Sequence, residues 1–121
     1  MSPGALSKEA QDVLTALSRH IGADQGISVE RLSWRVYGAG ASQRDQRAIR
    51  RAVEELRREG HHVCADPARG YYLAATDAEL DDTCRFLYNR AMTSLTQVAA
   101  MKRVSLPDLA GQLRIRLEDQ P

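Results

Sequence analysis

The sequence predicts a mainly α-helical chain carrying one small β-hairpin and ending in a long C-terminal helix. Three observations predict it. Apolar residues recur at helical spacing in three successive segments between residues 6 and 59. The pattern then shortens to that of paired strands between residues 61 and 74. A last helical pattern runs from 77 to about 103. The 121 residues suffice for one domain over 1–75 and a helical arm over 76–121.

The first helix is expected over residues 6–21, where Leu6, Ala10, Val13, Leu14, Leu17 and Ile21 share a face, with Ser7 as N-cap and Gly22 as stop. Residues 22–26 form a loop, and Ile27 reads as a single buried strand residue. Ser28 caps a second helix over Val29–Tyr37, with Leu32 and Val36 one turn apart and Gly38 ending it. The connection from Gly38 to Ser42 is made of small residues and is expected to be flexible. Ser42 and Asp45 then form a variant of the capping box. They open the most regular segment, Gln43 to Glu59, closed by Gly60. Its inward positions are Asp45, Ala48, Ile49, Ala52, Val53 and Leu56. Its outward face carries Gln43, Arg44, Arg47, Arg50, Arg51, Glu54 and Arg58.

The strands of the hairpin are expected over 61–65 and 71–74, joined by Asp66-Pro-Ala-Arg-Gly70, which is turn chemistry. In this reading one of Tyr71 and Tyr72 is buried and the other presents its hydroxyl to a phosphate. Thr76 and Glu79 make a second capping box. The helix they open reaches Arg103, roughly 40 Å at the standard rise. Leu80, Cys84, Leu87, Ala91, Leu95 and Val98 fall near a coiled-coil spacing along it. Two packings fit that seam: a fold back onto the domain, or pairing with a second copy through residues 77–103, parallel or antiparallel. Pairing is preferred because the helix outreaches a domain of this size. The tail, with Leu106, Leu109, Leu113, Ile115 and Leu117, reads as a short helix from Pro107 followed by an extended end.

Helix, short β element, helix, turn, helix, hairpin is the order of a winged helix-turn-helix domain, in which the third helix enters the DNA major groove. The charges agree with that use. Only Lys8 and Lys102 of the 17 basic residues are lysine, a bias that a GC-rich genome explains; the placement of the arginines is the informative part. From Arg31 to Arg51 six arginines face one acid, Asp45, a local net of +5 in a chain of net +1. Such segregation makes a phosphate-facing patch. Gln43, Arg44 and Arg47 occupy the first turns of the third helix, where arginine bridges guanine and glutamine bridges adenine. Arg35, Ser42, Arg50, Arg51 and Arg69 are the expected phosphate contacts.

The run Ser42-x-Arg44-x-x-Arg47-Ala-Ile-Arg-Arg-x-Val53-x-x-Leu56-x-x-x-Gly60, followed by Gly70-Tyr-Tyr-Leu-Ala74, resembles the winged helix of biotin-operon-repressor-type and related bacterial regulators. The resemblance implies that Ser42 caps the recognition helix, that the arginine face contacts DNA and that residues 70–74 form the second wing strand. That family continues into a large ligase domain, which is not expected here, so biotin binding is not carried over.

The remaining patterns exclude more than they suggest. No Gly-rich phosphate loop, nucleophile elbow or metalloprotease motif is present, so an enzyme is not expected. His61, His62, Cys64 and Cys84 match no zinc spacing, and neither a metal nor another cofactor is expected. The lone Trp34 reads as a packing residue, in the domain core or against the long helix or a partner, and His20 as a surface group at a helix end. Two cysteines, no leader pattern and no membrane-length apolar run suggest a cytoplasmic, nucleoid-associated protein. The expected function is that of a small dimeric transcriptional regulator, such as a repressor, binding double-stranded DNA. The alternatives are an adaptor or inhibitor whose arginine face docks an acidic protein, and an accessory protein that binds DNA without sequence preference.

Overall fold

The computed structural model describes residues 5–38 and 42–118, with side chains as far as 112; Ala39, Gly40 and Ala41 of the expected flexible connection lie outside the described residues, as do the side chains of Leu113, Ile115 and Leu117. Two compact units divide the chain between Thr83 and Cys84.

In the first unit, helix α1 (Lys8–Leu17) starts where the Ser7 hydroxyl accepts the Ala10 N–H. It stops at Leu17 rather than Ile21. The Ser18 N–H closes the last turn onto Leu14 and Thr15, and the His20 N–H bonds the Leu17 carbonyl. Ile21 then leaves the helix to form a parallel bridge with Leu73, and its side chain is exposed. Its apolar character continues the helical period, but the backbone on either side of it pairs with Leu73: the His20 carbonyl accepts the Leu73 N–H and the Gly22 N–H donates to the Leu73 carbonyl, both at 2.8 Å. A 3₁₀ turn over Ala23–Gln25 follows. Helix α2 (Val29–Tyr37) has the predicted bounds, with the Ser28 hydroxyl accepting the Arg31 N–H and Gly38 left-handed at its end. Helix α3 (Gln43–Arg58) is capped by Ser42, and Gly60 reverses the chain after it, the His61 N–H returning to the Leu56 carbonyl at 2.9 Å. That last bond is why the first strand begins later than expected.

Strands β1 (Val63–Asp66) and β2 (Gly70–Leu73) pair antiparallel, Val63 opposite Leu73 and Asp66 opposite Gly70. Ile27 is buried and bridges Tyr71 with bonds in both directions, 2.8 and 2.7 Å, so it does act as a one-residue strand. The approach is close. A Cβ on Gly26 would collide with the Arg69 backbone, and one on Gly70, which also has φ 88°, would collide with the Ile27 backbone.

The core of this unit joins Ala10, Val13 and Leu17 of α1, Leu32 of α2, Ile49, Ala52, Val53 and Leu56 of α3, and Val63 of β1. The architecture is thus a winged helix-turn-helix followed by a long helix. Two tertiary clamps were not legible as such. The Glu55 carboxylate on α3 accepts the backbone N–H and hydroxyl of Ser7, at 2.7 and 2.8 Å, and so fastens the start of α1. Arg57 donates to the Val63 carbonyl at 2.9 Å and fastens β1.

Helix α4 (Asp77–Lys102) begins in the first unit and continues through the second. Its first turn is tied down: the Thr76 hydroxyl accepts the Glu79 N–H, and the Glu79 carboxylate accepts N–H groups from Ala75 at 2.8 Å and Ala23 at 2.9 Å. In the second unit α4 ends with Arg103 left-handed at φ 57° and with N–H bonds from Arg103 to Ala100 and from Val104 to Ala99, the double bond of a Schellman turn. Helix α5 (Leu106–Glu118) then starts on the Ser105 cap. Where an extended end is expected after a short helix, the described residues continue as helix to Glu118. The helix persists because nothing between Asp108 and Glu118 interrupts it apart from Gly111, which a helix tolerates.

Candidate nucleic-acid interface

The candidate surface is the outer side of α3. Its amphipathicity is nearly complete: every position predicted to face inward is buried except the half-buried Asp45, and every position predicted to face outward is exposed. At 100° per residue, Gln43, Arg44, Arg50 and Arg51 fall within about 60° of Arg47, which lies at the centre of the face. The five span about 12 Å of helix axis. Ser42 is spent on the helix itself, its hydroxyl accepting the Asp45 N–H at 3.1 Å. Its exposed position still places it at the positive end of the helix dipole.

The arginines of this face have no ion pair among the described residues. Glu55, one turn from Arg51, has its carboxylate occupied by Ser7, and these two hydrogen bonds hold its pKa below the ordinary glutamate range. The carboxylate that helix spacing sets one turn from Arg51 is thus used to link α3 to α1.

The other expected phosphate contacts are distributed. Arg35 is exposed on α2, where with Asp12, Thr15, Ala16, Arg19 and Val36 it lines an open groove of about 360 Å³ between α1 and α2. This brings in Arg19, a basic residue that sequence reasoning passed over because it lies outside the charged run. Arg69 is at the wing tip, in a turn held by the Asp66 carboxylate, which accepts the Ala68 and Arg69 N–H groups at 2.7 and 3.2 Å. Its guanidinium approaches Asp24 at 3.7 Å, with side chains 52% and 94% exposed. A pair so open to solvent is easily exchanged for another anion.

Tyr72 is the buried wing tyrosine. Burial, more than the nearby Glu79 carboxylate, pushes its pKa up, and Thr83 hydrogen-bonds it. Tyr71 is half-buried against the core rather than fully outward. Trp34 is 53% exposed and does not fill the domain core; helical geometry places it one turn from the exposed Arg31, while Arg35 points about 100° away from it. His20 lies past the end of α1, its Nδ1 at 2.7 Å from the Gln25 carbonyl, with Nε2 buried. His61 and His62 border an open hollow with Ile21 and Leu73. Among the described residues no three His, Cys, Asp or Glu side chains are grouped to hold a metal, and no helix is long and apolar enough to cross a membrane.

Along α4, Leu80 is half-buried, Cys84, Leu87 and Ala91 are exposed, and Leu95 and Val98 are half-buried. The first half of the expected seam therefore carries the more open surface. No protein-family model matches the chain, and neither do the curated proteins or the solved structures compared with it.

Proposed function

We propose that this chain is a sequence-specific double-stranded DNA-binding protein, a small transcriptional regulator that acts as a dimer through residues 77–103. The observation that carries the reading is the outer face of α3: Gln43, Arg44, Arg47, Arg50 and Arg51 exposed together, without an acidic partner among the described residues, on the third helix of a winged helix-turn-helix. Gln43, Arg44 and Arg47 reach base edges from the first turns of that helix. Arg35, Ser42, Arg50, Arg51 and Arg69 take phosphates, with Arg69 released from Asp24 as the wing docks. Two copies related by a two-fold axis read the two halves of a palindrome.

The test is selection of bound sequences from a random duplex pool, repeated with Arg47→Ala. Enrichment of one palindrome whose preference relaxes in the variant supports the assignment. Binding with no enriched sequence is the result for a non-specific accessory protein, and no duplex binding at low salt sinks the DNA reading. One observation favours the second reading, docking of an acidic protein: the exposed Trp34 lies one turn from the exposed Arg31, and tryptophan with arginine is the composition of protein-binding hot spots. Trp34→Ala separates the two, since it leaves duplex selection unchanged if Trp34 serves a protein partner.

A further inference from the structure

Helix α4 presents exposed apolar side chains among the described residues. Cys84, Leu87 and Ala91 are exposed in succession along the seam, and Met101 is 77% exposed near the far end. Among the described side chains from Cys84 onward, only Ala99 and Leu109 are buried. That is little described burial to set against the entropy of ordering two helices.

The charges along α4 say what covers it and in which direction. The helix begins on Asp77, Glu79, Asp81 and Asp82 and ends on Lys102, followed by Arg103. Two parallel copies would align acid with acid, base with base, and the two helix dipoles with each other. Reversing one copy sets the acidic start of each helix against the basic end of the other and opposes the dipoles.

We propose that a second copy of this chain covers the seam in antiparallel orientation, with the two-fold axis crossing α4 between Met92 and Thr93. The proposal rests on the dimer reading above and adds its direction and register. Cys84 then lies against the partner's Met101, Leu87 against the partner's Val98, and Ala91 against the partner's Ser94. The long, adaptable methionine fills the space beside the small cysteine. The smallest pair falls nearest the axis, where side-chain size sets how closely two helices approach. Asp81 and Asp82 come level with the partner's Lys102 and Arg103. The two Cys84 residues stand about 25 Å apart along the axis at 1.5 Å per residue, well beyond the reach of a disulfide.

The experiment oxidises the full-length protein with diamide and reads cross-linking on non-reducing gels, beside light scattering for the mass of the unoxidised protein. Met101→Cys is expected to give a covalent dimer that Cys84→Ser in the same chain abolishes, while the wild type, with its exposed Cys84, gives none. A wild-type cross-link lost in Cys84→Ser establishes the parallel orientation and overturns the proposal. A dimer mass with no cross-link in Met101→Cys overturns the register. A monomer mass removes the dimer itself, and the DNA selection above reports separately whether the arginine face survives that result.

Discussion

In the proposed DNA reading Arg47 is the residue on which base recognition turns, because it sits at the centre of the exposed α3 face, with Arg44 and Arg51 on one side of it in projection and Gln43 and Arg50 on the other. Arg47→Ala should weaken operator binding by about 1–3 kcal/mol and relax preference at one base position. Arg51→Ala should instead weaken binding to all duplexes alike and lower the slope of log K against log salt by about one. Titrations over a salt series distinguish the two. Glu55 shows what a sequence hides at this scale. Read locally, it is a helix-surface acid one turn from Arg51; in the fold its partner is Ser7, 48 residues away. Ser42, by contrast, was legible, because a cap is satisfied within its own helix. The depressed pKa of Glu55 has a pH consequence. Its charged form is the bonded one, so its contribution to stability is fully present above the ordinary glutamate range and is lost as pH falls below it. Glu55→Gln should therefore flatten the acid limb of a melting-temperature profile taken from pH 7 to pH 3.

Elements were legible where their ends are set by near neighbours. The bounds of α2 follow from Ser28 and Gly38, and the C-terminus of α3 from Gly60. The end of α1 was not, because Ile21 continues the apolar period while the backbone of His20 and Gly22 on either side of it bonds Leu73, which lies far along the chain. Of the packings open to Trp34, its exposure rules out the domain core, because the fully buried α2 positions are Leu32 and Ser33. The C-terminus of α4 offers a test of local strain. Arg103 holds φ 57° where glycine ordinarily closes a Schellman turn. Arg103→Gly should stabilise the turn by about 1 kcal/mol, visible as a rise in melting temperature. Gly70→Ala should do the opposite by more than about 1 kcal/mol, since φ is positive and the Ile27 backbone occupies the space a Cβ needs.

At the scale of the whole molecule, near-neutrality conceals a division of labour. The six arginines between Arg31 and Arg51 are offset by acids that serve caps and clamps elsewhere, as Glu55 and Glu79 do. The order of elements was readable from the sequence because each element announces its period, and the outer face of α3 was readable for the same reason. The placement of Arg19 beside Arg35 was not, because it depends on how α1 meets α2. The dimer reading makes its own prediction. Leu87→Asp puts a charge on the seam without touching the core of the winged helix, so the protein should remain folded and become monomeric by light scattering. Its affinity for a full palindrome should fall at least tenfold, about 1.4 kcal/mol, while affinity for an isolated half-site should be unchanged.

One carboxylate ties two events together. The oxygens of Glu79 each accept a backbone N–H, one from Ala75 at the start of α4 and one from Ala23 in the 3₁₀ turn. Whatever frees that side chain frees both amides. Fraying of the first turn of α4 and loosening of the loop that leads to Ile27 are thus a single opening event, and the two amides should exchange with deuterium at a common rate. In Glu79→Ala both should lose protection, although Ala23 and Ala75 lie 52 residues apart in the chain.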